Sequence, residues 1–496
     1  MRLVIYIWKK LALLSALLIP LSLIIESSGG LSILRRLHAV WRDISQIKRG
    51  ILVGIFLAFV TQLFNEADAF RKVEDAGLDW MISMYRGVPR PETTSLRPIV
   101  FLDIDERSYR HWGEPMSAPR DKVLRLIRYA VESGASIVMV DVELSRTISA
   151  DDNAINDYLS GLAQRMTPPP EIILARGLRL PTEPVDGLIE QRQSFLDDVP
   201  KRNPHVHWAA PLFQVDEDAV VRRWRLWETT CEATSDTAQG RAVTLPSFQL
   251  LATVLIKDPN NPSRLKQALQ EHIPPGSDCA TKAVKQSSNA IYNLGGVQFR
   301  FSENDLEKRI LYSLPWRLKK GERYPSISWK GEPEYPLFSI KPAVVVTEGL
   351  NISSDLKGQV VIIGSSYADT RDIFPTPLGS MPGAIIIANA FLSFYQNGEV
   401  AELPWLENAL RLVLIVAVAV VFAYLPNFTA KMIASAITLL LLIPATFLLF
   451  TSGVWLDFAI PLMAVEFHAM YGEFDEKISA QHHRKNTVRI HDGDRL

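Results

Sequence analysis

Carboxylates stand at the ends of two apolar runs in the sequence. The run PIVFLDID ends with Asp103 and Asp105, and the run SIVMVDVEL contains Asp141 and Glu143. Residues two apart on a strand face the same side of a sheet, so each pair points in one direction. If the two strands are neighbours in a parallel sheet, the carboxylates meet at its carboxyl edge, where α/β sheets usually bind ligands.

Such a group of carboxylates suits a hard cation or a cationic ligand. Asp372 and the adjacent Arg371 could close the same site from a later strand. The alternative interpretation is that the carboxylates cap loops and helix starts or pair with Arg120. The residues predicted to bind a ligand are Asp103, Asp105, Arg120, Asp141 and Asp372. No catalytic residue, metal ligand or cofactor is assigned.

Two other patterns carry weaker chemical signals. His205 and His207 share one face of a predicted strand, but no third metal ligand is visible near them in the sequence. The sequence GSSYA at Gly364–Ala368 lacks the second glycine of a nucleophile elbow, and an ordinary turn after a strand is the favoured interpretation. Since no Ser/His/Asp or Cys/His arrangement stands out, we expect a protein that is not an enzyme.

The charge balance excludes a nucleic-acid-coating or disordered chain. The 496 residues contain 53 Lys and Arg against 54 Asp and Glu, for a net charge of −1. The two cysteines, Cys231 and Cys279, both fall in the segment placed outside the membrane below. A disulfide in an oxidising compartment is therefore predicted, and the alternative is two isolated thiols in a polar insertion.

Apolar runs at both ends predict helices that cross a membrane, one N-terminal and three C-terminal. The predicted spans are residues 48–66, 405–425, 431–451 and 454–472. Residues 1–47 form a cytoplasmic or interfacial segment whose apolar run, 11–25, resembles either a span or a signal-peptide core. Lys and Arg clusters at the outer ends of these spans place residues 473–496 in the cytoplasm as a short tail. Residues 67–97 then form a membrane-proximal stalk and residues 98–404 an external domain.

The external domain alternates strand and helix patterns. Between the two apolar runs, Ser117 can cap a helix that has Pro119 in its first turn and ends at Gly134. This order favours a right-handed βαβ unit. Further strands are predicted at Glu171–Leu178, His205–Phe213, Ala219–Trp227 and Gln359–Gly364, further helices near Ser247–Ile256 and Gly383–Gln396, and surface insertions at Pro181–Pro204, Lys257–Ser288 and Trp316–Pro342. The pattern predicts an α/β domain with a mixed, largely parallel sheet.

From Ile51 to Tyr471 the chain resembles the type-two CHASE domain, a bacterial extracytoplasmic sensory module. The matching signatures are LDID, then APRDKVLRLIRYAVESGASIVMVDVEL at Ala118–Leu144, and VVIIGSSYADTRDIFPTPLGSMPGAIIIANAF at Val360–Phe391. A weaker match is FQVDEDAVVRR, where the family usually has Gly after the acidic cluster and this chain has Ala219.

The resemblance implies a receptor in the inner membrane of a bacterium, with its large domain on the periplasmic side. Members usually pass a stimulus to a cytoplasmic kinase or cyclase domain, but the residues after Tyr471 contain no GGDEF, Gly-rich nucleotide loop or kinase pattern. We therefore expect an unknown external ligand, a separate signalling partner and, from how such receptors work, a homodimer. The alternatives are a scaffolding subunit of an envelope complex and a metal-dependent hydrolase that uses Asp103, Asp105 and Asp141.

Overall fold

The structure is a computed structural model that describes residues 68–85, 96–147, 149, 151–165, 168–180, 188–234, 237–259, 262–271, 273, 279, 288–294, 297–301, 308–327, 335–349 and 355–398. Nearly all of them belong to one compact unit that begins at Asp75. The predicted spans at 48–66, 405–425, 431–451 and 454–472, the run 11–25 and the tail 473–496 lie outside the described residues. Among the residues that are described, no helix is both long and apolar enough to cross a membrane.

Five of the described helices have ten or more residues, and the others are shorter. The helices are α1 Asp68–Tyr85, α2 Glu106–His111, α3 Arg120–Glu132, α4 Asp151–Ser160, α5 Leu162–Arg165, α6 Val199–Arg202, α7 Phe248–Lys257, α8 Pro262–Gln270, α9 Ala343–Thr347 and α10 Gly383–Asn397. The α3 helix begins after Pro119, which is its N-cap residue in place of the predicted Ser117. Proline suits this position because a residue at the start of a helix has no use for a backbone N–H.

The strands form one large sheet and several small ones. They are β1 Ile99–Ile104, β2 Ile137–Val140, β3 Glu171–Ala175, β4 Leu178–Arg179, β5 Ile189–Gln191, β6 Val206–Ala209, β7 Phe213–Val215, β8 Val221–Trp224, β9 Trp227–Thr234, β10 Thr237–Pro246, β11 Ser288–Leu294, β12 Val297–Phe301, β13 Ser326–Ile327, β14 Tyr335–Pro336, β15 Phe338–Pro342, β16 Val360–Ser365, β17 Ile373–Phe374 and β18 Met381–Pro382. Where a strand was predicted from an apolar run, it is in most cases shorter than that run.

The large sheet has six strands in the order β15-β1-β16-β2-β3-β6, and every pairing in it is parallel. The prediction of a mixed sheet was therefore wrong for this sheet. Of the further strands predicted for it, the one at Ala219–Trp227 lies outside this sheet, because β8 pairs with β7 in a separate antiparallel hairpin. The edge strand β15 lies inside the segment Trp316–Pro342, which was predicted to be a surface insertion. The strand was not predicted because its five residues are too few to show a strand pattern.

Helices cover both faces of the large sheet, which explains its continuous apolar strands. One face packs against α3, whose Val123, Leu126, Ile127 and Ala130 are buried at the predicted helical spacing. On the other face, α10 packs against β16, and α7 packs against α10. The central strands β1 and β2 are buried along their whole length.

The strands β1 and β2 are not neighbours, because β16 lies between them. The condition under which their carboxylates would be direct neighbours is therefore not met, although both strands run parallel in one sheet. A crossover helix can join two parallel strands that have another strand between them. Here that strand is β16, whose first five residues, VVIIG, are buried.

A second sheet has four strands in the order β10-β9-β5-β4. Cys231 on β9 and Cys279 form a disulfide with a Cα–Cα distance of 5.1 Å. The β7–β8 hairpin turns at Ala219, whose φ of 63° lies in the left-handed region. Ala219 therefore adopts the backbone conformation that the glycine usual in the resembling family would favour.

Candidate functional site

At the carboxyl edge of the large sheet, one aspartate lies on each side of β16, at the same register position. Asp103 of β1 pairs with Gly364 of β16. Asp141 directly follows Val140, which pairs with Ile363, and the Asp141 N–H donates to the Ile363 carbonyl at 2.8 Å. The aspartates thus lie on one face, separated by two strand spacings of about 5 Å each.

Asp103 is deeply buried at this edge, with only 3% of the residue exposed. Its Oδ2 accepts a hydrogen bond from the Ser366 hydroxyl at 2.8 Å, whereas Oδ1 is buried without a hydrogen-bond partner in the described part of the chain. Burial raises the pKa of Asp103 to about 7, although the Ser366 hydrogen bond opposes the rise and Asp105 adds to it. The side chain is therefore close to half-protonated near neutral pH.

Asp141 and Asp372 form a second pair of carboxyl groups at the same edge. Burial, with a smaller contribution from the charge of Asp372, raises the pKa of Asp141 to about 8. Burial also raises the pKa of Asp372 to about 6, although the Gly383 backbone N–H opposes this. Gly383 is the first residue of α10, and a Cβ placed on it would lie 2.5 and 2.7 Å from the Asp372 carboxylate oxygens. Asp372 is thus seated directly against the start of α10.

The two remaining predicted ligand-binding residues have structural partners. Asp105 is the N-cap of α2 and accepts hydrogen bonds from the Ser108 N–H at 2.8 Å and the Ser108 hydroxyl at 2.6 Å, so the capping interpretation is confirmed for it. Arg120 is buried on α3 and donates to Asp152 and to the carbonyls of Glu143 and Arg146. Its guanidinium therefore holds the loop after β2 and is not paired with the edge carboxylates.

The two histidines have a shared partner that the sequence did not reveal. His205 Nδ1 lies 2.8 Å and His207 Nε2 lies 2.7 Å from the two carboxylate oxygens of Glu171. Burial acts to raise the pKa of Glu171, but the hydrogen bonds from the histidines lower it below its ordinary value. Glu171 is remote in sequence and lies on the neighbouring strand β3. Across the described residues, no group of three His, Cys, Asp or Glu side chains is placed to hold a metal ion.

A second group of aspartates lies where α1 meets the β7–β8 hairpin. We call it the arginine–aspartate cluster, and its members are Asp75, Asp79, Asp216, Asp218, Arg222, Arg223 and Arg309. Asp75 and Asp79 are one turn apart on α1 and face the same side. The hairpin contributes four members, which are four of the five charged residues of the FQVDEDAVVRR motif, and Arg309 comes from a later segment.

Arg222 is the centre of this cluster. Its guanidinium contacts Asp79 at 2.9 Å, Asp216 at 2.9 Å and Asp218 at 2.6 Å, and only 7% of its side chain is exposed. Burial acts to lower the pKa of Arg222, but the carboxylates of Asp218, Asp79 and Asp216 together raise it. The hydrogen bond from Arg222 likewise lowers the pKa of Asp218. Arg222 and Asp218 therefore remain charged over the whole physiological pH range.

The other two arginines join the hairpin and the later segment to α1. Arg223 contacts Asp75 at 2.7 Å and Asp216 at 2.5 Å. Arg309, with 1% of its side chain exposed, pairs with Asp75 and contacts Asp79 at 2.6 Å. Each α1 aspartate is thus held by two arginines from different parts of the fold. The apolar side of α1 adds Leu78, Met81 and Ile82, which are all buried.

Two sets of contacts connect the carboxyl edge with the arginine–aspartate cluster. The loop that carries Asp372 continues to Pro375, whose carbonyl accepts a hydrogen bond from the Val221 N–H at 2.8 Å, one residue before Arg222. Helix α10 provides the other set, since the Ser393 hydroxyl accepts from the Leu311 N–H at 3.0 Å. In addition, Asn389 binds the backbone of Ser313 and Leu314.

The β8 strand is also packed directly against α10. The rings of Trp224 and Phe394 meet edge to face with centroids 5.8 Å apart. The Tyr312 hydroxyl donates to the Val221 carbonyl at 2.8 Å, and burial raises the pKa of Tyr312 well above its ordinary value. The segment from Arg309 to Leu314 therefore lies between α10 and the arginines that hold α1.

Comparison with known proteins gives one match. The model of the CHASE2 domain family matches residues 51–424, which is more than half of the chain. The curated proteins contain no match to this chain, and neither do the solved structures.

Proposed function

The chain belongs to the CHASE2 family of sensory domains, and we propose that it is a multi-pass receptor of a bacterial inner membrane rather than an enzyme. In this proposal, the large α/β domain lies on the periplasmic side and detects an external stimulus. The four predicted spans carry the response to a separate signalling partner, and the receptor acts as a homodimer. The family match and the apolar runs of the sequence support this topology.

The observation that carries the proposal is the connection between the carboxyl edge and α1. The loop of Asp372 contacts β8 at Val221, and the next residue, Arg222, holds Asp79 of α1. Helix α1 begins two residues after the predicted span 48–66, and α10 precedes the predicted span 405–425. A change at the edge can therefore reach both segments that lead to predicted spans without rearrangement of the whole sheet.

The carboxyl edge is the part of the domain best suited to respond to a stimulus. Its aspartates have raised pKa values and lack ion pairs among the described residues, so their charge can change. By contrast, every charged group of the arginine–aspartate cluster has at least one ion-pair partner, which suits a mechanical connection. We assign detection to the edge and transmission to α10, β8 and α1.

Co-purification tests whether the response goes to a partner. The full chain and a version that ends at Tyr471 are purified in mild detergent, and bound proteins are identified by mass spectrometry. A receptor should retain a cytoplasmic effector only with the full chain. If both forms bind the same envelope proteins and no effector, the scaffolding alternative replaces the receptor.

Labelling tests the proposed topology independently. Arg110 has an exposed side chain, so Arg110→Cys provides a reactive thiol on the domain surface. In spheroplasts, a maleimide that cannot cross membranes should label this variant fully. A cysteine placed at Asn486 in the predicted tail is the matched control and should react only after the membrane is permeabilised. The reverse pattern would contradict the topology.

A further inference from the structure

A loop with a strong local positive charge precedes the edge strand β15. We call residues 317–323 the basic loop, and its sequence, RLKKGER, has four cations against one carboxylate in a chain whose net charge is −1. All of its residues are exposed, and the apolar Leu318 exposes 37% of its surface. The side chains of Lys319, Lys320 and Arg323 form no ion pair within the described residues. These three side chains therefore present unpaired positive charge to their surroundings.

The two ends of the basic loop are fixed to the core by aromatic side chains. Trp316, just before the loop, meets the ring of Phe101 edge to face with centroids 6.3 Å apart. Tyr324, just after the loop, packs against Phe338 at 5.0 Å and donates its hydroxyl hydrogen to the Pro315 carbonyl at 2.8 Å. Both phenylalanines are buried strand residues. The basic loop therefore projects from a firmly packed base.

A tight turn forms the tip of the basic loop. The Glu322 N–H donates to the Lys319 carbonyl at 2.9 Å, and the Lys319 N–H donates to the Glu322 carboxylate at 2.7 Å. Gly321 has φ of 90°, as the third residue of a type II turn requires, and a Cβ placed on it would meet nothing within 4 Å. The single carboxylate of the loop is thus used inside the turn, while Lys320 lies at an uncovered apex.

The basic loop lies at the amino edge of the large sheet, opposite the carboxyl edge. The Leu337 N–H donates to the Pro325 carbonyl at 2.7 Å, so the end of the loop is joined to the start of β15. The Leu337 carbonyl in turn accepts from the N–H of Ile99, the first residue of β1, at 2.8 Å. The carboxyl edge is farther away by the length of the strands, which is about 20 Å for the six residues of β1.

Helix α10 ends at the same edge of the sheet. Its Tyr395 forms a side-chain hydrogen bond with Arg97, two residues before β1. The helix ends at Asn397, and seven residues separate it from the predicted span 405–425. A fully extended chain of this length covers at most about 25–30 Å. The amino edge is therefore the edge from which the chain leads, over a short distance, to a predicted span.

We propose that the basic loop binds the anionic lipid headgroups of the membrane that holds the predicted spans. This inference rests on the proposed topology, in which α10 leads into a span. Each Lys or Arg near an anionic membrane surface is attracted strongly enough to raise the ratio of bound to free loop about fivefold. The exposed Leu318 among the cations suits the boundary between headgroups and acyl chains, where basic segments insert their apolar side chains. Binding holds the amino edge of the sheet at the lipid surface.

Fluorescence quenching by labelled lipids tests this contact on the full chain. Cys231 and Cys279 are the only cysteines and form a disulfide, so Leu318→Cys supplies a single free thiol for a polarity-sensitive fluorophore. Met116→Cys is the matched control, since Met116 is also exposed and apolar but lies between α2 and α3 at the carboxyl edge. Each labelled chain is reconstituted in vesicles of phosphatidylcholine alone, or of phosphatidylcholine and phosphatidylglycerol in equal parts. Some phosphatidylcholine headgroups carry a nitroxide quencher.

In vesicles with phosphatidylglycerol, the label at position 318 should be quenched more strongly than the label at position 116. This excess should fall in phosphatidylcholine alone and at about 1 M salt, where the Debye length is only about 3 Å. Replacement of three loop cations should lower the ratio of bound to free loop about 100-fold and remove the excess, and the changes are Lys319→Gln, Lys320→Gln and Arg323→Gln. The matched control removes three exposed cations near the carboxyl edge and should leave the quenching unchanged, and its changes are Arg107→Gln, Arg110→Gln and Arg146→Gln.

Three outcomes would overturn the proposal. Equal quenching of the two labels would mean that the basic loop is not at the lipid surface. Quenching at position 318 that survives both the glutamine substitutions and high salt would mean that the cations do not bind headgroups. A fluorescence shift without nitroxide quenching, seen only when vesicles hold several copies of the chain, would assign the loop to a contact with a second copy.

Flotation of the vesicles on a density gradient separates these outcomes from failure of the proposed topology. If the predicted spans insert, the chain floats with vesicles of either composition. A chain that floats with neither would reject the spans, and the membrane receptor with them. A chain that floats with both, but whose two labels are quenched equally, rejects only the contact between the basic loop and lipid.

Discussion

Aspartates occur in two groups in this domain, and their surroundings are opposite. At the carboxyl edge, Asp103, Asp141 and Asp372 have no arginine or lysine partner among the described residues, and burial raises their pKa values. In the arginine–aspartate cluster, Asp75 and Asp79 are each held by two arginines. The same side chain therefore lacks a charged partner in one place and is the ion-paired anchor of a helix in the other.

The difference shows how one residue type can serve both detection and transmission. A group with a raised pKa changes its charge within the physiological range, so its surroundings respond to conditions. A carboxylate held by arginine stays ionised and keeps its geometry, because the guanidinium does not lose its proton. The extent of burial does not distinguish the two groups of aspartates, since Asp75 and Asp141 are both partly buried. The presence of an arginine partner distinguishes them.

The largest expected effect comes from removal of an anchor. Arg309→Gln leaves Asp75 and Asp79 with one fewer arginine each in a buried site, and loss of one partner of a buried ion pair costs about 3–5 kcal/mol. Hydrogen exchange measured by mass spectrometry should show faster exchange over α1, while β1 and α10 stay protected. Arg110→Gln, which breaks an exposed pair with Glu106, is the control and should change stability by less than about 0.5 kcal/mol.

Two other results would weaken the comparison. If Arg309→Gln unfolds the whole domain, α1 is a structural part of the core rather than a separately held helix, and Asp79→Asn then serves as the milder test because it keeps the arginine. If Asp79→Asn leaves exchange over α1 unchanged, the arginine–aspartate cluster does not anchor the helix and the proposed transmission through it is wrong.

A smaller effect of opposite sign is expected at the edge. The pKa of Asp103 is raised to about 7 in the folded chain, so as pH rises from about 4 the unfolded chain releases this proton first and stability falls until about pH 7. Asp103→Asn cannot ionise and should raise the free energy of unfolding at pH 8 by about 2–4 kcal/mol. At pH 4 the variant and the original chain should have nearly equal stability.

Melting curves of the full chain across this pH range measure the difference. Ser366 can still donate to the amide oxygen of the variant, so the known hydrogen bond is kept. Asp198→Asn is the control, since Asp198 is exposed and its pKa is lowered by the hydrogen bond to Lys201. A stability gain from Asp103→Asn that is the same at every pH would mean that packing, and not ionisation, is responsible.

The contact between Asp372 and α10 predicts that a substitution at Gly383 lowers the free energy of unfolding by about 1–2 kcal/mol. A Cβ on Gly383 would overlap the Asp372 carboxylate, so Gly383→Ala should destabilise the domain even though alanine favours a helix. In an Asp372→Ala background the same substitution should be neutral or stabilising. Thermal unfolding of the four chains gives the coupling between the two residues. If Gly383→Ala lowers stability equally in both backgrounds, the added methyl group overlaps with a group other than the Asp372 carboxylate.

The sequence predicted the strands and helices of the domain better than their arrangement. Apolar runs such as PIVFLDID and VVIIG marked buried strands, since a parallel sheet covered on both faces is apolar throughout. The position of β16 between β1 and β2 could not be predicted, because pairing over more than 200 residues leaves no local signal. The edge strand β15 was missed for a similar reason, as its five residues alternate without a long apolar run.

The candidate site was predicted in part. The sheet-edge argument identified Asp103 and Asp141, and the second signature identified Asp372, but nothing in the sequence distinguished these from Asp105, which caps a helix. The arginine–aspartate cluster was missed, although its signals were visible. Asp75 and Asp79 are four residues apart beside the apolar Leu78 and Ile82, and such spacing indicates a helix with a charged side against a partner.

The smallest expected effect concerns the turn that presents the hairpin aspartates. Ala219 has φ of 63°, a conformation that is strained for alanine and free for glycine. Ala219→Gly should therefore stabilise the domain by about 0.5–1 kcal/mol, since relief of strain exceeds the extra entropy of glycine in the unfolded chain. Melting curves of the full chain measure the gain, and exchange over α1 should slow slightly because Asp216 and Asp218 are held better.

Ala368→Gly is the matched control for this substitution. Ala368 is exposed and begins a short 3-10 helix with ordinary backbone angles, so glycine there should lower stability by about 0.5–1 kcal/mol. Opposite signs for the two alanine-to-glycine changes would show that the turn at Ala219 is strained in solution. If both variants lose stability, the hairpin adopts another turn. The position of Asp218 against Arg222 would then need a different explanation, because that turn sets the distance between them.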